Sequence, residues 1–310
     1  MGTLDKIDKK VAHLMYMPLT GLGLYGGHRG NRWLKNRIKI FKQFVLPSLL
    51  SQTNKNFILW ASARHEDRHD PIMRDFQRFL ESVIPVVFTY SGTCFWDDKY
   101  PDIIAKERLV VALHGSLGDV INVIGDVDTV LMSIQPSDDC YQKTMVEDMQ
   151  RIFSEKPDIQ VLAYKNGYVM DYINGRIAEW NPATNPPFFT IKFPRDIFVD
   201  VFKHLEYTGP YKSHEYIVDY LKELSLYERG FLVGTHTSNI STVFNHPYTG
   251  DSVPLDVLEN FGLQDVQNLE TSFSIREWLF HKLNYQVKRK LRYWAEKNNI
   301  IGMIYNFIRS

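Results

Sequence analysis

Short apolar runs and longer helical stripes take turns along the first half of the chain. "VAHLMYMPL" (11–19), "NFILWASA" (56–63), "PVVFTYSG" (85–92) and "TVLMSI" (129–134) are each bounded by turn formers, which predicts four buried strands. Between the first two, Trp33, Leu34, Ile38, Phe41, Phe44 and Val45 recur at helical spacing. They predict a helix over 31–53 that kinks or restarts near Pro47. "DPIMRDFQRFLESV" (70–83) is a helix opened by Asp70, with Pro71 at its first position. "PDIIAKERLVVALHGSLGDVINVI" (101–124) predicts one or two helices, and "CYQKTMVEDMQRIFSEK" (140–156) another. Strand and helix alternate four times within about 156 residues. That pattern predicts an α/β fold with a mostly parallel central sheet covered on both faces.

The rhythm changes after that. "IQVLAYKNGYVMDYINGRIAEW" (159–180) carries Asn-Gly pairs at Asn166 and Asn174, and each predicts a hairpin turn. "NPATNPPFFTIKF" (181–193) reads as a loop entering a strand, "RDIFVDVFKHL" (195–205) and "SHEYIVDYLKEL" (213–224) as helices, and "GFLVGTHTSNIS" (230–241) as strand then loop. From about residue 269 the chain reads as a basic, aromatic helical segment. The expected organisation is one domain over 1–268 and the segment 269–310 behind it. The domain has a ligand-binding half at about 1–156 and a second half at about 157–268.

Composition narrows the classes. Hydrophobic residues are 44% and aromatics 14% of the 310, so the chain can build a substantial core. Lys+Arg and Asp+Glu both count 36, which gives no basis for a nucleic-acid partner. The two cysteines, Cys94 and Cys140, make no disulfide framework. With no apolar leader and no run of about 18 apolar residues, a cytoplasmic protein is expected, with possible contact at a membrane surface only through the C-terminal helix. There Trp278, Lys282, Tyr285, Arg289 and Arg292 suit an anionic lipid surface, or equally a helix packed on the domain.

In open α/β sheets ligands bind beyond the carboxyl ends of strands. The loops after residues 19, 62, 91 and 134 are therefore the places to look. The last reads "IQPSDDC". Asp138 and Asp139 there could hold Mg²⁺ or Mn²⁺ with ligand phosphates, or could cap the following helix with Ser137. A second acidic pair, Asp126 and Asp128, falls at the entrance of the strand and reads as a turn.

The order of motifs carries a resemblance. Arg37, Leu46, Pro47, Ser48, Leu49, Gln52, Phe57 and Trp60 resemble the opening of the rhamnosyltransferase family, a branch of the GT-A glycosyltransferases that is similar to the inverting family-2 enzymes. The resemblance runs loosely over 30–245. It implies a GT-A, nucleotide-diphospho-sugar transferase fold. It also implies an inverting hexosyltransferase that moves a sugar, rhamnose by family, from a nucleotide-diphosphate donor to a glycan or glycolipid hydroxyl. In such relatives an acidic motif after the fourth strand holds Mn²⁺ or Mg²⁺ and the diphosphate; Ser137, Asp138 and Asp139 match its place. The family's Arg-Leu-Asp portion is replaced here by Gln135, Pro136 and Ser137. "THTSNIS" resembles a later segment in which His236 would complete the metal shell and Asn239 is a matching position. Glu215 is implied as the base that takes the acceptor proton, with Asp219 the runner-up and His214 beside them. Arg29, Arg32 and Arg37 would meet phosphates, or form a solvated helix face. Glu66 or its neighbour Asp67, with Tyr90, would contact the nucleoside. Two rival readings remain: a metal-dependent nucleotidyltransferase, and a non-catalytic GT-A-like binding protein.

Overall fold

The computed structural model describes residues 11–20, 31–90, 102–208, 220–236 and 242–264. Their strands form one mixed sheet, all-parallel at one end and mixed at the other. Four strands make the parallel part: β1 (Val11–Pro18), β2 (Ile58–Ser62), β3 (Val86–Thr89) and β4 (Thr129–Ile134). They lie in the order β3-β2-β1-β4. Tyr16, for example, faces Trp60 on one side and Ile134 on the other.

The four predicted strands are thus present, and they adjoin as the alternating pattern requires. Alternation along β1 sorts its side chains. Met15 and Met17 pack against Leu34, Phe41, Met73 and Phe76 on one face, while Leu14 and Tyr16 pack against Leu113, Leu117 and Val120 on the other. Both faces are apolar because both are covered by helices.

The covering helices follow their signals. Asp70 accepts hydrogen bonds from the backbone N–H groups of Ile72 (2.8 Å) and Met73 (3.2 Å), and α3 (Pro71–Val83) begins there. The 101–124 stretch is a single helix, α4 (Asp102–Ile124). The stretch around Pro47 is not a simple kink. Between α1 (Asn31–Ile40) and α2 (Leu46–Leu50) lies a π-helical turn over Phe41–Val45, closed by the Leu46 N–H on the Phe41 carbonyl. Pro47 has no N–H to offer the Gln43 carbonyl, so the helix passes it with a wider turn instead of breaking.

Two helix expectations need correction. Helix α5 begins at Met145, not at Cys140 (Met145–Glu155, with Thr144 before it). Cys140–Tyr141 is instead a short strand, β5, paired antiparallel with β9 (Glu223–Thr235). The helix expected over 213–224 likewise gives way at its end to β9, whose first residue is Glu223; residues 209–219 lie outside the described set.

Asn174 and Gly175 do turn the chain between β6 (Val161–Asp171) and β7 (Arg176–Trp180). Asn166–Gly167 does not. It sits inside β6, where the pairing with β9 shifts register. A Cβ on Gly167 would come within 2.4 Å of the Phe231 ring, so glycine is needed for close strand approach and not for a turn.

The remaining strands, β8 (Phe189–Pro194) and β10 (Thr249–Ser252), join β4 to β6 and edge β7. β8 runs antiparallel to both β4 and β6, and β9 parallel to β6. The carboxyl ends of β1, β2, β4, β6 and β9 therefore share one rim. Helices α6 (Arg195–Val199) and α7 (Val201–Thr208) follow β8. Among the described residues no helix is long and apolar enough to cross a membrane.

Candidate functional site

Three strand ends and one helix meet at that rim. Asp138 and Asp139 lie in the turn between β4 and β5, Tyr172 directly follows β6, His236 directly follows β9, and Arg37 comes from the last turn of α1. Arg37 forms an ion pair with Asp138 Oδ2, and His236 Nε2 lies 3.1 Å from the same oxygen. Asp139 Oδ1 accepts the Gly234 backbone N–H at 2.8 Å. The Tyr172 hydroxyl donates to the Asp138 main-chain carbonyl at 2.9 Å. Behind it, Tyr172 stacks on Phe44 with ring centroids 3.6 Å apart and planes 3° from parallel.

The turn is held from below as well. Gln135 is 1% exposed, and its Nε2 donates to the carbonyls of Pro136 (2.8 Å) and Asp139 (2.9 Å). This gives the departure at "IQPS" a concrete role: the Gln135 amide shapes the turn. The same is true of the "LPSLLSQ" stretch. Ser48 Oγ donates to the Tyr141 carbonyl at 2.7 Å. Gln52 donates from Nε2 to the Gln142 carbonyl at 2.9 Å and accepts the Val146 N–H at 3.1 Å. The helix that supplies Arg37 thus continues into a clamp on the segment that follows the acidic pair.

The pair is not a helix cap, because α5 starts six residues beyond Asp139. Its two carboxyls are pushed apart electrostatically. Burial pushes Asp138 up, but the Arg37 guanidinium and the His236 hydrogen bond outweigh it and hold the group well below the usual carboxylate range. Burial and then the Asp138 charge push Asp139 well above that range. Burial lowers His236 against the pull of Asp138. The neighbouring Cys140 thiol is raised by burial and is chemically inert. Ser137 is buried in the same turn.

The expected metal set, Asp138, Asp139 and His236, does converge, and Asp138 Oδ2, Asp139 Oδ1 and His236 Nε2 each already have a protein partner. Among the described residues no group of three His, Cys, Asp or Glu side chains is placed to hold a metal ion.

Elsewhere the outcome varies. Tyr90 donates to Gln77 Oε1 at 2.6 Å and lines a cavity of about 440 Å³ with His65, Arg68, Arg74 and Asp119, away from Asp138. Of the two acids after β2, Asp67 turns inward. It is 2% exposed and accepts from Thr20 Oγ1 (2.5 Å), Arg64 Nε (3.1 Å) and Arg64 Nη2 (2.6 Å). Those bonds tie the ends of β1 and β2 together. Arg32 in α1 and Glu66 in a 3₁₀ turn are described only in their backbone. Arg29, His214, Glu215, Asp219, Asn239 and the segment 269–310 lie outside the described residues. Asp126 and Asp128 sit at the amino end of β4, as a turn should.

Gly234 and Tyr172 were not singled out by the sequence. A Cβ on Gly234 would lie 2.2 Å from the Tyr172 ring and 2.4 Å from the Asp138 carbonyl oxygen, so only glycine fits. The one available signal is a glycine at the end of an apolar strand, two residues before His236.

No protein-family model matches the chain, and no curated protein matches it. Among solved structures it is similar to S. aureus TarS, at 12% identity over 73% of this chain and 37% of that one, with a TM-score of 0.38. It is also similar to mouse xyloside xylosyltransferase 1, at 11% identity over 50% and 52% of the two chains, TM-score 0.28. A Desulfovibrio desulfuricans G20 protein assigned to the nucleotide-diphospho-sugar transferases shows 14% identity over 72% and 80%, TM-score 0.31. The chain thus spans about a third to a half of the first two proteins.

Proposed function

We propose that this protein transfers a sugar from a nucleoside-diphosphate donor to a hydroxyl group of a glycan or glycolipid. One observation carries the reading: Arg37, Asp138 and His236, separated by about 100 residues each along the chain, meet at the carboxyl rim where α/β sheets bind ligands. The family resemblance adds the order of the motifs and makes rhamnose the sugar to try first.

In this reading the bond between the sugar's anomeric carbon and the diphosphate oxygen breaks as the acceptor oxygen bonds to that carbon from the opposite face. The acceptor proton passes to a carboxylate, for which Glu215 is the first candidate and Asp219 the second. The leaving diphosphate gains negative charge, and the Arg37 guanidinium lowers the cost of that charge. Asp138 fixes Arg37 in place. The segment 269–310 would bring the enzyme to a lipid-linked acceptor at a membrane surface.

The test is a panel of nucleotide sugars, assayed for nucleoside-diphosphate release with and without hydroxyl acceptors. Turnover that falls about a hundred-fold in Asp138→Asn is expected. Binding without turnover across the panel would favour a sugar-nucleotide binding protein. Pyrophosphate release from a nucleoside triphosphate would replace the reading with nucleotidyl transfer.

A further inference from the structure

The acidic pair has a cation within the protein itself. Arg37 is 3% exposed and pairs with Asp138, whose side chain keeps 16% of its surface open. The Trp33 ring lies 5.3 Å from the guanidinium carbon and braces it from the side. A guanidinium so enclosed is held against Asp138 from two sides.

The neighbours make the same point. His236 Nε2 is 3.1 Å from the oxygen that Arg37 also holds. A carboxylate paired with a guanidinium only accepts hydrogen bonds, so in this arrangement Nε2 donates its hydrogen to Asp138. Asp139 Oδ1 is taken by the Gly234 N–H at 2.8 Å. Mg²⁺ demands near-octahedral oxygens at about 2.0–2.1 Å. An ion on Asp138 would sit about 4 Å from a fixed positive charge, at a distance where like charges repel strongly in a partly buried site.

We propose that Arg37 is the resident cation of the acidic pair, and that a nucleoside diphosphate binds at this rim without a divalent ion. The second clause rests on the transferase reading above; the first does not. Pairing with Arg37 also spares an incoming phosphate the uncompensated charge of Asp138.

The experiment uses the full chain and three probes: UDP, GDP and dTDP. Thermal shifts are recorded with each in EDTA and in Mn²⁺, and free Mn²⁺ is titrated by EPR for the wild type, Asp138→Asn and Arg37→Met, with and without nucleotide. The expected result is a nucleotide shift that survives EDTA and wild-type Mn²⁺ binding no tighter than that of Asp138→Asn. A folded Arg37→Met should bind Mn²⁺ about ten-fold more tightly than the wild type, since a repelling charge has gone. A wild-type Mn²⁺ site lost in Asp138→Asn, a nucleotide shift abolished by EDTA, or a folded Arg37→Met with no gain would each overturn the proposal. If no nucleotide shifts the protein at all, the transferase reading fails. The EPR comparison of wild type with Asp138→Asn then still decides the role of Arg37, even if Arg37→Met does not fold.

Discussion

Gly234→Ala tests how tightly the rim is assembled. The added methyl would lie 2.2 Å from Tyr172 Cε2 and 2.4 Å from the Asp138 carbonyl oxygen, both far inside normal contact. Neither neighbour yields easily. The Tyr172 ring is trapped in a 3.6 Å stack on Phe44, and the carbonyl is backbone already hydrogen-bonded to the Tyr172 hydroxyl. Overpacking of this kind costs about 1–3 kcal/mol. If the strand shifts to make room, Asp139 also loses the Gly234 N–H, a buried bond of the kind that contributes about 1 kcal/mol or more. A total of about 3 kcal/mol follows, or roughly 6–12 °C in melting temperature. Gly118→Ala is the control. Gly118 lies within α4 with nothing inside 4 Å of the new methyl, and the change should stabilise by about 0.5–1 kcal/mol. Urea midpoints of both variants measure the contrast. A Gly234→Ala variant within about 1 kcal/mol of wild type would refute the packing argument.

His13 provides a pH test away from the rim. It is 1% exposed, bonded through Nε2 to Ser133 Oγ at 2.7 Å, and burial pulls it down from 6.5 to about 3. The folded protein holds it neutral while the unfolded chain takes up a proton first. Its contribution is therefore complete above pH 6.5 and is lost as pH falls toward 3, at about 1.4 kcal/mol per pH unit. Urea unfolding at pH 7, 6 and 5 should show a shallower loss for His13→Gln than for wild type, and equal slopes would contradict the assignment. Gln52→Ala should cost about 2–4 kcal/mol, because it strands the Val146 N–H and the Gln142 carbonyl in a buried segment; denaturant titration reads this directly. Gly167→Ala should destabilise by about 1–3 kcal/mol through its clash with Phe231, whereas a hairpin-turn role would leave the Phe231 packing untouched. Near-UV circular dichroism of the stacked Phe188–Phe231 pair is the discriminating signal.

The parallel half of the sheet is legible because its runs are mostly apolar and each is bounded by strong punctuation. Asp70–Pro71 fixed one helix start to the residue. The Asn-Gly pairs show where local reading stops: both look alike in sequence, yet one turns the chain and the other lets an aromatic ring from β9 lie against the strand. Cys140–Tyr141 carries no period of its own in sequence, and only its pairing with Leu232 and Phe231 makes it a strand. Motif order proposes Asp138 and His236, and the fold brings the two together. That Arg37 meets Asp138 depends on how α1 crosses the rim, which no local pattern encodes.

The rim also has an assembly order. Arg37 and His236 are about 200 positions apart, so a ribosome adding roughly 5–20 residues per second needs on the order of 10–40 s between them. During that interval α1 and β4 can be present, but β9, which supplies both the Gly234 N–H and His236, has not emerged. The parallel pairing of β9 with β6 closes a loop of some fifty residues, a step that topology makes slow. Completion of the Asp138–Asp139 environment is therefore a late step of folding. A nascent chain stalled before residue 223 would carry its acidic pair without the backbone donor that holds Asp139.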